Sequence, residues 1–173
     1  MHRKLFNYII DLANDKGDTM DIYDYNILNE LQNNGKLSIA ELGRMIGLST
    51  TATKERVKKL ENEGVIKGYS AIIDASKVGM DLTAFITVPV GNLEIKEMAD
   101  KLSAMKEIVE CHKVTGNTCF LIKVRARSSS HLEHLIDEIN NFAKNTYTYL
   151  VLSTAKEEPK IIIDENEFTS DEA

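Results

Sequence analysis

The stretch SIAELGRMIGLSTTATKERVKKLENEGVIKG, residues 38–68, decides the fold. Ser38 stands three residues before Glu41, the spacing at which a hydroxyl and a carboxylate cap a helix start reciprocally. Ile39, Leu42 and Ile46 recur at i, i+3 and i+7, one face of a helix. Gly47 supplies a backbone free to turn, and Leu48 plugs the corner. Ser49 is the expected N-cap of a second helix running to about Glu63, with Gly64 just past its end. Val65 is expected to fold back on Leu60, the apolar contact that accompanies such an ending. Helix, glycine turn, helix at this spacing predicts a DNA-binding helix-turn-helix.

The face of the second helix that meets DNA follows from its pitch. Thr53, Val57 and Leu60 share one side and are assigned to the core. The opposite side carries Thr51, Glu55 and Lys58, flanked by Lys54 and Lys59. Thr50 and Arg56 fall at the margins, within reach of phosphates. The N–H groups and partial positive charge of the helix start point at any phosphate near Ser49 and Thr50. Glu55 either accepts from a cytosine amino group or pairs with Lys58 or Lys59. The candidate DNA-binding set is therefore Ser49, Thr50, Thr51, Lys54, Glu55, Arg56, Lys58 and Lys59.

A net charge of −6 argues against a nucleic-acid partner until the chain is divided. Residues 1–35 sum to −3, residues 36–68 to +3 and residues 69–173 to −6. The positive segment is the helix-turn-helix itself, a basic patch on an acidic body. No apolar run approaches the roughly 20 residues that span a bilayer. The basic N-terminus is interrupted at Asp11, too early for a secretory signal. Two cysteines, Cys111 and Cys119, make no disulfide framework. A cytoplasmic protein without membrane contact is expected.

The rest of the chain divides around this core. Residues 1–20 form an extension with an amphipathic helix over 4–14, and residues 21–66 the helix-turn-helix domain, its first helix opening at Asp21 and Asp24. Residues 67–81 are a linker strand and hinge. From Leu82 strands alternate with helices. A strand over 82–90 places Pro89 at an edge or an end, and Asn92 caps a helix carrying Ile95, Met98 and Leu102. Strands over 107–115 and 118–126 meet through Gly116-Asn117, a two-residue hairpin turn. Ser130 caps a helix with Leu132, Leu135, Ile136, Ile139 and Phe142 inward, and 146–154 is the last strand. The order βαββαβ predicts a ferredoxin-like domain over 82–155. Residues 156–173 are an acidic tail in which Ile161-Ile162-Ile163 adds a short edge strand. The fold class is α+β: a winged-type helix-turn-helix domain followed by a βαββαβ ferredoxin-like domain.

Alternation places Phe120, Ile122 and Val124 on one sheet face and Cys119, Leu121, Lys123 and Arg125 on the other. Leu150 and Leu152 oppose Tyr147, Tyr149 and Val151 in the last strand. Two helices cover one face only, so a dimer through the other face is expected.

Residues 21–155 resemble the Lrp/AsnC (leucine-responsive or feast/famine) regulators. The matching stretches are Asp21-Ile22-Tyr23-Asp24 with Ile27-Leu28, Leu37-Ser38 through Glu41-Leu42, Gly47-Leu48-Ser49, Arg56-Val57 and Leu60-Glu61. Gly64-Val65-Ile66-Lys67-Gly68-Tyr69 and Val114-Thr115-Gly116 complete them. The resemblance implies an effector-binding and dimerising second domain and homodimers assembling to tetramers or octamers; a dimer of helix-turn-helix units is in turn expected to bind a palindromic duplex DNA operator. It also implies an amino-acid effector held around Thr115, Gly116, Asn117, Thr118 and Cys119. Leucine-binding members tend to carry an acidic residue where this chain has Cys119, and a basic one is frequent where it has Glu55.

No other chemistry is assigned. Cys111, His112 and Cys119 lack the four convergent groups of a zinc site, and His131 and His134 lack a carboxylate motif. Neither a cofactor nor a metal is expected. Two other readings share the architecture, a siroheme-decarboxylase-like enzyme and a partner subunit in mixed regulator oligomers. An enzyme has no use for Thr51, Lys54 and Lys58 on a basic helix.

Overall fold

Asp21, in extended backbone, accepts hydrogen bonds from the amides of Tyr23 and Asp24, and its own amide donates to Asp24. Helix α1 (Ile22–Asn33) thus opens on a closed capping box. The computed structural model describes residues 20–89, 93–116, 118–158 and 160–161. They fall into two units, one running to Ala71 together with Glu158, Lys160 and Ile161, the other Ile72–Glu157. The expected helix over 4–14, Asn92, Asn117, Ile162 and Ile163 lie outside the described residues.

In the first unit α1 packs with α2 (Ile39–Ile46) and α3 (Thr50–Asn62) around Ile27, Leu28, Leu42, Val57 and Leu60. Ser38 and Glu41 close the second capping box. Gly47 turns the chain at φ 75°, and Ser49 accepts the Ala52 amide to start α3. At the far end Gly64, at φ 72°, donates to the Glu61 carbonyl, and Ile66 donates to that of Leu60. Ile66 packs on the core while Val65 stays exposed, so the contact that closes α3 is made one residue later than expected. The segment after Ile66, read as an extended linker, carries no strand; a short 3-10 turn, Ala75–Val78, ends at Gly79. Ile161 likewise joins no strand; its backbone exchanges hydrogen bonds with the Gln32 side chain at 2.7 and 3.1 Å.

The second unit is a four-stranded antiparallel sheet with α4 (Ile95–Ala104) and α5 (Ser129–Asn140) on one face. The strands β1 (Leu82–Val88), β2 (Ile108–Lys113), β3 (Phe120–Ala126) and β4 (Tyr147–Leu150) lie in the order β2-β3-β1-β4. Ala84, Ile86 and Val88 alternate into a core with Phe120, Ile122 and Val124, covered by Met98, Leu102, Leu135 and Ile139. Each such side chain removed from water is worth about 1.5–3 kcal/mol, which pins the register. Pro89 follows a central strand and marks an end, not an edge.

Helix starts moved. Ser128, not Ser130, caps α5, accepting the His131 amide at 3.1 Å. Three consecutive serines offer the same hydroxyl, and the one whose backbone is extended takes the role. Glu94 occupies the N-cap of α4 without a side-chain hydrogen bond.

Candidate nucleic-acid interface and effector hairpin

The corner between α2 and α3 is held from inside. The Leu48 amide donates to the Gly43 carbonyl at 2.8 Å, and the Thr53 hydroxyl donates to the Ser49 carbonyl at 2.9 Å. Thr53, Val57 and Leu60 are buried. Opposite them on α3, Thr51, Lys54, Glu55 and Lys58 are exposed, as are Thr50 at the margin and the cap Ser49. Six of the eight candidate DNA-binding residues are thus exposed on one helix and its cap. Lys59 is half-buried and reaches Glu63 at 4.0 Å. Among the described residues Glu55 forms no ion pair, so its expected pairing with Lys58 or Lys59 is absent.

Arg56 is the exception. Its two terminal nitrogens meet the two Asp21 carboxylate oxygens at 2.8 Å each, and Nη1 also donates to Asp24 Oδ1 at 2.9 Å. The guanidinium lies over the Tyr23 ring, 5.3 Å from its centre. Asp24 is buried at 3% exposure. The hydrogen bonds that Arg56 donates to Asp24 and Asp21 hold its pKa above the ordinary value. A residue placed at the phosphate margin therefore turns inward, because two carboxylates at the start of α1 accept a bidentate fork better than water does. Helical periodicity alone had no means of seeing this partner, although two aspartates three residues apart were visible. Gly43 was also passed over; as a lone glycine inside a helix pattern it was the available signal.

The expected effector loop is arranged differently. Val114 donates to the Cys119 carbonyl at 3.0 Å, so four residues, 115–118, connect the pair, not a two-residue turn. Thr115 and Gly116 are exposed, with Gly116 at φ 115°, and the Thr118 hydroxyl donates to the Phe120 carbonyl at 3.3 Å. Cys119 is buried among the residues under the helices, and its amide donates to Val88 at 3.0 Å. It therefore leaves the outward set with Leu121, Lys123 and Arg125. The longer loop breaks the alternation one residue before β3 begins. A groove of about 690 Å³ opens at the ends of α4 and α5, lined by Lys101, Met105, Glu107, Glu138 and Phe142; the loop residues do not line it. Among the described residues no three His, Cys, Asp or Glu side chains converge to hold a metal, and no helix is long and apolar enough to cross a membrane.

Residues 20–67 match the model of a winged helix-turn-helix DNA-binding domain, and residues 83–161 that of the Lrp/AsnC ligand binding domain. A helix-turn-helix-type transcriptional regulator, FL11, of Pyrococcus horikoshii is 36% identical over 146 residues, covering 83% of this chain and 97% of its own. The chain belongs to the Lrp/AsnC family. The leucine-responsive regulatory protein of Salmonella typhimurium is 32% identical, covering 90% of this chain and 98% of its own. A feast or famine regulatory protein from M. tuberculosis, solved in complex with L-methionine, superposes with a TM-score of 0.78 at 31% identity, covering 84% of this chain and all of that one. This Lrp/AsnC chain is thus a helix-turn-helix transcriptional regulator whose second unit is a ligand-binding domain.

Proposed function

We propose that the chain binds a palindromic duplex operator as a homodimer, placing α3 of each copy in successive major grooves about 34–36 Å apart. The observation that carries this reading is the exposed face of α3, with Thr51, Lys54 and Lys58 outward on the one basic stretch of an acidic chain. Residues 21–66 do the DNA binding, 67–81 form the hinge, and 82–155 bind effector and dimerise. The open sheet face supports a dimer: Phe85 faces Tyr149 and Thr87 faces Tyr147 across the β1–β4 register, on the side without helices. Further assembly to tetramers or octamers follows the family pattern. The effector is an amino acid held at the Thr115–Gly116–Thr118 loop, in line with the L-methionine complex of the mycobacterial relative. A small effector acts by differing in affinity for two states of the assembly, and the coupling to DNA is reciprocal.

The test is selection of bound sequences from random duplex DNA, with and without L-methionine or a pool of amino acids. An enriched palindrome that shifts with the additive supports the whole reading. A palindrome indifferent to every amino acid removes the effector, and no enrichment at low salt removes the operator.

A further inference from the structure

We propose that Arg56 is a positioning residue for the recognition helix and that Asp21 keeps its charge away from DNA, an inference that rests on the docking face given above. Arg56 sits on α3 two residues from both Lys54 and Lys58, so on the other side of the helix from their exposed face, and its guanidinium is tied to Asp21 and Asp24 at the start of α1. The fork to Asp21 fixes the guanidinium plane, Tyr23 lies beneath it, and Asp24 receives a third hydrogen bond. Swinging Arg56 out to a phosphate would leave Asp24 buried at 3% exposure without its cation, which the interior penalises heavily. The Asp21 amide that donates to the second Asp24 oxygen at 3.3 Å is neutral and cannot replace that cation. The tie therefore sets the rotation of α3 about its own axis, and with it the direction in which Thr51, Lys54 and Lys58 leave the domain.

The cluster also has a sign. One guanidinium and two carboxylates leave a net −1 on the flank of the basic helix. Asp21, with a side chain 46% exposed, is the part of that charge that solvent and DNA can feel. A repulsive element beside an attractive face limits which approaches of DNA are tolerated. Here it bounds the footprint at the α1 end of α3.

The salt dependence of DNA affinity separates these roles, since each phosphate contact contributes about 0.9 to the slope of log K against log salt. With the full chain and its selected operator, Arg56→Ala is expected to weaken binding by about tenfold or more, the worth of one charge-assisted hydrogen bond, with the slope unchanged. Arg56→Lys keeps the charge and a cation for Asp24, so it folds, but it loses the fork. It should bind with intermediate affinity and an unchanged slope. Asp21→Asn, which retains an N-cap side chain, should tighten binding to non-specific duplex. The proposal is overturned if Arg56→Ala lowers the slope by about 0.9 while Arg56→Lys restores both slope and affinity, the behaviour of a phosphate contact. Weaker non-specific binding by Asp21→Asn would overturn the charge-screening half. Lys58→Ala, measured alongside, should lose about 0.9 of slope. If it does not, the docking face is wrong, and that failure is distinct from any result at Arg56.

Discussion

Gly43 and Thr53 approach so closely that a Cβ on Gly43 would stand 2.7 Å from the Thr53 hydroxyl oxygen and 2.8 Å from the Leu48 carbonyl oxygen. Neither neighbour can yield. Thr53 is fully buried and hydrogen-bonded to Ser49, and Leu48 offers backbone. Gly43→Ala would gain about 1 kcal/mol of helix propensity and lose about 1–3 kcal/mol to overpacking. The expected net effect is a loss of up to about 2 kcal/mol, read as a lower urea midpoint with α3 displaced and DNA binding weakened. A raised midpoint would show that α2 and α3 separate at no cost.

Lys54 is exposed on the outward face of α3. Lys54→Ala should leave the stability read from urea unfolding within about 0.5 kcal/mol of the parent and reduce the salt slope of DNA binding by about 0.9. Fluorescence anisotropy over a range of salt concentrations measures both affinity and slope. Equal curves for parent and variant would take Lys54 out of the interface.

Acid should act on the first unit through Asp21. Desolvation raises its pKa, but hydrogen bonds from Arg56 and the Asp24 amide outweigh it and hold the carboxyl below the usual range. A pKa lowered by folding means that the folded state binds the proton less readily than the unfolded state. The resulting stability is whole above the ordinary value of about 3.9 and is lost as pH falls through the lower folded value. Asp21→Asn should therefore be less stable than the parent at pH 7, and the two should converge in strong acid. Urea midpoints from neutral pH downwards test this, and a difference constant with pH would separate Asp21 from acid sensitivity.

Phe85 lies opposite Tyr149 on the open sheet face, half-buried and away from α4 and α5. Phe85→Glu would place like charges against each other across a two-fold sheet interface. Sedimentation at micromolar concentration should then show a monomer for the variant and a dimer for the parent, with the circular dichroism of the fold retained. A dimer surviving the substitution would move the interface to another surface.

Cys119 is 5% exposed beneath the helices. Cys119→Asp, which introduces the acidic residue that the family resemblance implied for leucine binding, should destabilise the second unit by about 3 kcal/mol or more as an unpaired buried carboxylate. It should not create an amino-acid site. A thermal shift assay with and without leucine checks both, and a leucine-dependent rise in Tm would show that the loop can turn the side chain outward.

Much of the molecule was written in local pattern. The capping box of Ser38 and Glu41, the Gly47 corner, the Ser49 cap and the buried Thr53–Val57–Leu60 stripe all depend on residues within a turn or two of one another, so periodicity reveals them. The βαββαβ order followed in the same way, from alternation in β3 and the spacing of apolar residues in α4 and α5. Tertiary structure decided what local pattern leaves open. Arg56 lies on a helix margin by sequence, but its partner Asp21 is 35 residues away, and only packing α3 against α1 brings the carboxylates to it. Cys119 alternates outward on paper, and the backbone bonds of Val114 and Val88 to its own peptide turn it into the core. The choice of Ser128 among three serines followed from which backbone was extended when α5 docked on the sheet. In each case the chain carried the chemical group in its sequence, and the long-range contact determined what that group would face.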